Sequence, residues 1–349
     1  MSAPLAILVV GFGLIGREHL ARIRAHPGAR AAGVVDPDPA ARAAAEATGF
    51  PVFADLDGAL ARTRPDAAIV ATPTPRHVEP AVRLLEAGVP VLVEKPLSAD
   101  VAGARTLVAA VRRSGVPVLV GHHRRHQPFV QAARRLVREE GALGRVLLAE
   151  ALFWVRKPDG YYAPDWRRRP GAGPVLTNLS HDLDLLRHLV GEIEEVRAAT
   201  ANLARGFEVE DTAAVLLHFE GGALGTVSAS DAVPAPWSWE LASGENPVYP
   251  KTDAACYRIG GTEGALELPP LRLWRHAGDG WTTPIAALHH HAPLTDALAR
   301  QLDHFLAVAR GEAEPLVPVH DGARTVAVLE AVLRAAGTGS PQTPPDVGA

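Results

Sequence analysis

The first 121 residues alternate between short, continuously apolar runs and stretches with helical spacing. The apolar runs are Ala6–Val10, Ala31–Val35, Ala67–Ala71, Val89–Glu94 and Pro117–Gly121. Between them lie Ile15–Ala25, Pro39–Thr48, Arg76–Ala87 and Ala99–Ser114, which read as helices. A strand that is apolar on both faces must be covered on both faces. A parallel sheet layered with helices does this, so residues 1–121 predict an α/β domain.

The pattern changes after residue 121. Pro128–Glu140 has helical spacing, and longer strands are predicted at Arg145–Val155, Glu195–Leu203 and Asp211–Glu220. Glu220-Gly221-Gly222-Ala223 joins two apolar runs as a hairpin turn. Short strands follow at Trp237–Ala242, Cys256–Gly260, Ala265–Leu268 and Leu271–Trp274, then helices at Leu294–Ala309 and Asp321–Ala335. Runs of strands without intervening helices predict an α+β domain with a mostly antiparallel sheet over residues 122–336. Residues 337–349, rich in Pro and Gly, read as a flexible tail.

Composition excludes several classes. The 349 residues suffice for two buried cores, and 47% hydrophobic with 21% charged residues is a globular balance. A net charge of −4 argues against gripping nucleic acid through its phosphates. The single Cys256 excludes an internal disulfide framework and any multi-cysteine metal site, and it suits a reducing compartment. No run of apolar residues is long enough to span a membrane. The apolar start lacks a basic flank and reads as a buried strand, so the expected location is cytoplasmic.

Gly11-Phe12-Gly13-Leu14-Ile15-Gly16 follows the first strand directly and opens the first helix. That context gives the glycines a purpose. The first makes the tight turn, the second lets backbone approach a pyrophosphate, and the third lets helix pack on strand. Amides at the helix start then face an anion. The expectation is a Rossmann-type dinucleotide site. Asp36 ends the second strand, where a carboxylate accepts from the ribose 2′-hydroxyl and repels a 2′-phosphate, so NAD is favoured over NADP. The competing role for this residue is a helix cap before Pro39, which Asp38 can also fill.

Val91-Leu92-Val93-Glu94-Lys95-Pro96 carries an ion pair at the end of a buried strand, the end at which parallel sheets place ligands. Burial would lower the Lys95 pKa from about 10.4 toward the range a proton shuttle needs, with Glu94 to orient it. Without that context, Lys95 is a surface lysine. Farther on, Leu176, Leu179, Leu183, Leu186 and Leu189 mark an apolar helical face, with Asn178, His181 and Asp182 near its start. His181 can exchange a proton near neutral pH, or be incidental to a capped amphipathic helix.

The order of these elements resembles the Gfo/Idh/MocA oxidoreductases: Gly11-x-Gly13-x-x-Gly16, Asp36, Ala71-Thr72-Pro73, Glu94-Lys95-Pro96, Gly121-His122-His123-Arg124-Arg125, His181-Asp182-x-Asp184 and the Gly260–Gly264 turn. The resemblance covers nearly the whole chain. It implies a Rossmann domain and an open antiparallel sheet, with cofactor and substrate between them, and Lys95 and His181 as the catalytic pair. It implies cofactor contacts from Gly11, Gly13, Leu14, Ile15, Asp36, Thr72, Pro73, His77, Glu94 and Lys95. Substrate contacts are expected from His123, Arg124, Trp166, Asn178 and His181. It also suggests a cis Lys95–Pro96 bond. One departure stands out: many members carry Asp four residues before the histidine, where this chain has Thr177 followed by Asn178. Charge support for His181 is then gone unless Asp182 or Asp184, the latter three residues on and closer to its face, supplies it; the expectation is that His181 works mainly as a neutral hydrogen-bonding group and that Asn178 binds a substrate hydroxyl.

His122, His123 and His126 point different ways with no carboxylate at ligand spacing, so no metal is expected there. Arg167-Arg168-Arg169 is either a contact for an anionic group or a solvated face. The expected activity is NAD-dependent hydride transfer on a secondary alcohol or ketone of a sugar or cyclitol. The alternatives are a dihydrodiol or other non-sugar carbonyl substrate, and a non-catalytic dinucleotide-sensing regulator, against which the joint presence of Lys95 and His181 argues. The apolar strands Arg145–Val155 and Ala213–Phe219 predict a homodimer or homotetramer built through the second domain's sheet. No nucleic-acid or membrane partner is expected.

Overall fold

The computed structural model describes residues 3–278 and 280–348. It divides into two compact units. One takes the chain up to His123, Ala297–Val326 and the residues from Asp346 on; the other takes Arg124–Asp296 and Ala327–Pro345.

In the first unit, β1 (Leu5–Val10), β2 (Ala29–Val35), β3 (Val52–Phe53), β4 (Ala67–Val70), β5 (Val91–Val93) and β6 (Val118–Val120) form one sheet in the order β3-β2-β1-β4-β5-β6. Every neighbouring pair is parallel. The chain order reverses at β1, so the switch point of this Rossmann sheet lies beside the glycine turn. Helices α1 (Leu14–Ala25), α2 (Pro39–Glu46), α3 (Leu56–Thr63), α4 (Val78–Glu86) and α5 (Val101–Ser114) follow the strands. Local chemistry sets their ends. Asp38, Asp55 and Asp100 cap α2, α3 and α5, and Gly115 closes α5 at a φ of 68°.

The second unit holds α6 (Pro128–Arg134), β7 (Val146–Trp154), α7 (Pro174–Thr177), α8 (Leu179–Leu189), β8 (Ile193–Ala201), β9 (Thr212–Phe219), β10 (Leu224–Ser230), α9 (Trp239–Ser243), β11 (Tyr257–Gly261), β12 (Ala265–Leu268), β13 (Arg272–His276) and β14 (Ile285–His289). Its sheet runs β14-β13-β12-β11-β7-β10-β9-β8 and is antiparallel except where β7 meets β10. One face is core: Ala149, Phe153, Val215 and Leu217 pack with Leu179, Leu183 and Leu186 of α8. Glu220 to Ala223 is the expected hairpin connection between β9 and β10. Two long helices complete the chain, α10 (Ala297–Ala309) and α11 (Val319–Thr338).

Several local expectations change. Trp237–Ala242 is not a strand; its centre forms α9, with the Ser238 hydroxyl accepting the Leu241 N–H at 3.3 Å. A segment that short carries too little periodicity to separate the two states. The helix at the end of α6 continues as a π-helical turn, Arg135–Glu139. β14, beginning in exposed Ile285, carries no apolar alternation that would predict it. Helix α10 belongs with the first unit, where His26 and Arg310 bond to Asp303 and to the Gly28 carbonyl.

The expected frayed tail is also replaced by an ordered one. Helix α11 runs to Thr338, and Gln342 exchanges backbone hydrogen bonds of 2.8 and 2.9 Å with Val196. Arg105 donates to the Asp346 carbonyl, and Val347 is buried. Pro and Gly content marks where helices stop, but it says nothing about whether a following extended segment finds a partner.

Candidate active site

The glycine turn is built as its spacing requires. Gly11 has a φ of +99°, and a Cβ there would lie 2.7 Å from the Ala71 carbonyl; one on Gly16 would lie 2.1 Å from Gly11 O. Gly13 has nothing within 4 Å of the place a Cβ would take, and it caps α1 without a side-chain hydrogen bond. The first amides of α1 thus remain available to an anion, and Leu14 stands 84% exposed beside them. A pyrophosphate fits this turn. Asp36 settles the capping question, because Asp38 caps α2 while Asp36 turns to the glycine loop. Its two carboxylate oxygens accept the N–H groups of Phe12 and Asp38 at 2.8 and 2.9 Å. Each oxygen retains a lone pair that can receive a ribose hydroxyl.

Lys95 lies just past β5 with a cis bond to Pro96. The Glu94 carboxylate lies close enough to Lys95 to feel its charge. It turns inward, 4% exposed, and accepts from His19 Nε2 of α1 at 2.8 Å and from the Lys95 backbone N–H at 3.1 Å. It packs so tightly against Gly121 that a Cβ there would sit 2.9 Å from Glu94 Cα. Burial pushes the carboxyl up, but the His19 hydrogen bond and the positive charges of His19, His123 and Lys95 outweigh it and hold Glu94 at about 2.

His77, expected among the cofactor contacts, is buried. Its Nδ1 faces the Pro96 carbonyl at 3.0 Å and its Nε2 faces the Thr72 carbonyl at 2.8 Å. It braces the Thr72-Pro73 turn against the Lys95-Pro96 turn. Thr72 itself donates to the Arg76 carbonyl at 3.0 Å. Gly11, Asp36, Thr72 and Lys95 therefore all stand at the C-terminal ends of strands in one parallel sheet.

The depressed Glu94 pKa has a consequence for stability. The carboxylate's contribution is fully present above the unfolded value of 4.5 and is lost as the pH falls toward about 2. A shift of this size is worth about 3 kcal/mol. Glu94→Gln is expected to flatten the stability–pH curve in that window, read by urea unfolding at successive pH values. An unchanged slope would contradict the assignment.

In the second unit the start of α8 carries Asn178, His181, Asp182 and Asp184. Arg124 is not exposed to substrate; it is 2% exposed and donates to Asp182 at 2.9 Å, the Tyr257 hydroxyl at 3.1 Å and Glu240 at 3.0 Å. Its guanidinium stacks over the Trp239 ring at 4.8 Å, and Tyr257 also donates to Asp182. Arg125 forks onto Asp184 at 2.8 and 2.6 Å. Asp184, one of the two carboxylates that could support His181, holds this fork. An arginine with two carboxylates in reach is bound before a substrate arrives, which a string of basic letters does not reveal. Trp166 is 59% exposed, with Arg167 stacked between it and Tyr161. Arg168 donates to the Tyr162 carbonyl, so two of the three clustered arginines serve the fold of this loop.

One residue that sequence reading passed over stands beside Asn178. Lys157 Nζ donates to Asn178 Oδ1 at 3.0 Å, pairs with Asp231 at 3.3 Å and lies 4.8 Å over the Tyr161 ring. Tyr162 and Arg205 hold the same Asp231 at 2.6 and 2.5 Å. Burial lowers the Lys157 pKa, while Asp231 works against that shift. A signal was present: the chain has 35 basic residues, yet only Lys95, Lys157 and Lys251 are lysines. Where arginine is so strongly preferred, a retained lysine marks a place that wants a compact cation on a flexible stem.

The residues fit an NAD-type dinucleotide, and comparison with known proteins agrees. Residues 5–122 match the model of the oxidoreductase family with an NAD-binding Rossmann fold, and residues 130–267 match the GFO/IDH/MocA C-terminal domain. The chain is 30% identical over 347 residues to the D-apiose dehydrogenase of Paraburkholderia graminis, covering 95% of this chain and 87% of that protein. It is 32% identical over 344 residues to inositol 2-dehydrogenase 2 of Saccharopolyspora erythraea, covering 95% and 93%. Among solved structures, the WlbA dehydrogenase from Bordetella pertussis, in complex with NADH and UDP-GlcNAcA, matches with a TM-score of 0.81 at 27% identity over 98% of this chain and 99% of that one. With both halves matched in order and relatives aligned along nearly the full length, the chain belongs to the Gfo/Idh/MocA oxidoreductase family.

Proposed function

We propose that this protein is an NAD-dependent dehydrogenase that oxidises a secondary alcohol of a sugar, sugar derivative or cyclitol, or runs the reverse reduction. The observation that carries this reading is the convergence of the open glycine turn, Asp36 and Lys95 at the strand ends of one parallel sheet. The named relatives act on such substrates. When bound, NAD supplies the hydride acceptor. The chain's own residues do the rest. The α1 amides hold the pyrophosphate, and Asp36 receives the ribose hydroxyl. Lys95 Nζ takes the proton of the reacting hydroxyl. His181 serves as a neutral hydrogen-bonding group for the substrate, and Asn178 holds a second oxygen. The test is reduction of NAD at 340 nm against a panel of polyols, aldoses and cyclitols; a protein that binds NADH yet oxidises none of them counts against the reading.

Cofactor preference follows from Asp36. NADH is expected to bind more tightly than NADPH, and Asp36→Ala is expected to narrow the ratio by about tenfold or more, worth roughly 1.4 kcal/mol. Fluorescence titration of both nucleotides measures this, and wild-type binding of NADPH as tight as NADH would overturn it.

We also infer a homo-oligomer built through the second unit's sheet. The face opposite its core shows Leu148 and Leu224 exposed and Leu152, Leu216 and Trp154 only partly covered. A dimer or tetramer is expected in light scattering at micromolar concentration, and a monomer there would refute the inference. Among the described residues no helix is long and apolar enough to cross a membrane. A single buried thiol suits the cytoplasm, where we place the reaction.

A further inference from the structure

Asn178 and Lys157 together define which hydrogen-bonding role the protein offers at the start of α8. The Asn178 side chain has an oxygen that only accepts and a nitrogen that only donates, and the two look alike in shape. Its neighbours decide between them. Lys157 Nζ lies 3.0 Å from Oδ1, and an ammonium group has donors alone, so the oxygen must face it. Thr177 Oγ1 approaches the same oxygen at 2.8 Å. The amide nitrogen has no hydrogen bond within the described residues, and Asn178 is only half-buried.

Lys157 is in turn held where it can do this. Asp231 pairs with it at 3.3 Å, and Asp231 is itself pinned by the Tyr162 hydroxyl and the Arg205 guanidinium. The Tyr161 ring lies beneath the ammonium group at 4.8 Å. The stem of Lys157 leaves the chain shortly after β7 and just before Pro158, so the loop, the sheet and α8 are tied at one nitrogen. Arginine could not make this contact without displacing Asp231 or Asn178, because its fork is wider and rigid.

We propose that Lys157 is a positioning residue that locks the Asn178 amide with its two N–H groups outward, so that the site selects a substrate oxygen that accepts: a carbonyl, ether, carboxylate or hydroxyl oxygen approached through its lone pairs. This rests on the dehydrogenase reading above for what the substrate is, but the orientation of the amide does not. A carboxylate at position 178 would make the opposite demand and ask the substrate for a hydrogen. The donor-outward amide is therefore a specificity-determining feature of this chain.

The test uses the NAD-loaded full-length protein and whichever panel compound the wild type oxidises. Asn178→Asp keeps an acceptor for Lys157 but removes both outward donors. It is expected to raise KM by about thirtyfold with kcat changed less than about threefold, as setting an acceptor against the substrate's own accepting oxygen predicts. Lys157→Met is expected to raise KM by about tenfold, because the amide is then free to turn. Lys157→Arg is expected to recover only part of that loss. A KM for Asn178→Asp at or below the wild-type value would overturn the proposal, as would an unchanged Lys157→Met.

A second readout does not depend on turnover. The chain has three asparagines, Asn178, Asn202 and Asn246, so side-chain 15N labelling of asparagine gives three NH2 pairs. The pair missing in Asn178→Asp is that of Asn178. It is expected to move in Lys157→Met while the other two stay. An Asn178 pair that is identical with and without Lys157 would refute the lock, even if no panel compound were oxidised. In that last case the dehydrogenase reading would fail separately.

Discussion

Lys95→Ala is expected to lower turnover by about a thousandfold or more while NADH affinity stays within about threefold. The size follows from losing the group that takes the hydroxyl proton, for which acid–base catalysis typically supplies factors of about 100 to 10,000. The selectivity follows from the architecture. The pyrophosphate cradle is made by Gly11, Gly13 and the α1 amides, and the side chain of Lys95 contributes nothing to it. Lys95→Arg is not expected to rescue, because arginine stays protonated. His181→Asn, which keeps a hydrogen-bonding group of similar size, is expected to cost less than Lys95→Ala. Steady-state rates on an oxidised panel compound and NADH titration of the same samples decide both points. Turnover surviving in Lys95→Ala would remove the lysine from the chemistry. An equal or larger loss in His181→Asn, with the fold intact, would make the histidine the principal acid–base residue.

Arg124→Met is expected to destabilise the protein by about 3–5 kcal/mol. That is the usual cost of removing one partner from a buried ion pair and leaving the other uncompensated. Arg124 serves Asp182 and Glu240 at once, and Asp182 is 1% exposed. Burial pushes the Asp182 carboxyl up, and Arg124 and the Tyr257 hydrogen bond pull it back. Without the arginine, the carboxyl escapes its charge by binding a proton. The deficit should therefore shrink as the pH falls from 8 toward 5, at higher pH than the window in which Glu94→Gln and wild type converge. Urea unfolding at several pH values tests this, and Arg124→Met/Asp182→Asn should regain part of the loss. A variant as stable as wild type across that range would show that the network carries no net weight.

How far the sequence could be read depended on the kind of signal. Period and punctuation carried the first unit: continuous apolar runs, glycines at fixed offsets and an aspartate at a strand end each have one cheap structural meaning. The same logic placed Lys95 just past the end of a strand of the parallel sheet, where the structure has it and where such sheets meet their ligands. It did not reveal the buried ion pairs of Arg124 and Asp184, whose partners lie 58 and 59 residues from them in the chain. Nothing local distinguishes an arginine that will bind substrate from one that will be buried against two acids. Nor did it reveal the bracing contacts of His77, since its two partners are backbone carbonyls, which every residue has. Lys157 was within reach. Its rarity in an arginine-rich chain was visible from composition, and only the partner was hidden.

The two consecutive arginines at the start of the second unit set the rotational phase of a helix. Arg124 takes Asp182 and Arg125 takes Asp184, and residues two apart on a helix project to nearly opposite sides. Gripped on both sides, α8 can neither roll nor slide without breaking a buried ion pair, so the bearing of His181, which precedes the first of these aspartates, is set from behind. The loop carrying Lys157, Tyr161 and Trp166 lies outside that grip. On the roles proposed above, substitutions there, and at Thr177 and Asn178, would change what is recognised while His181 keeps its bearing. The two tasks are then held by separate anchors: Arg124 and Arg125 set the helix, and Asp231, held by Tyr162 and Arg205, sets the lysine that faces Asn178.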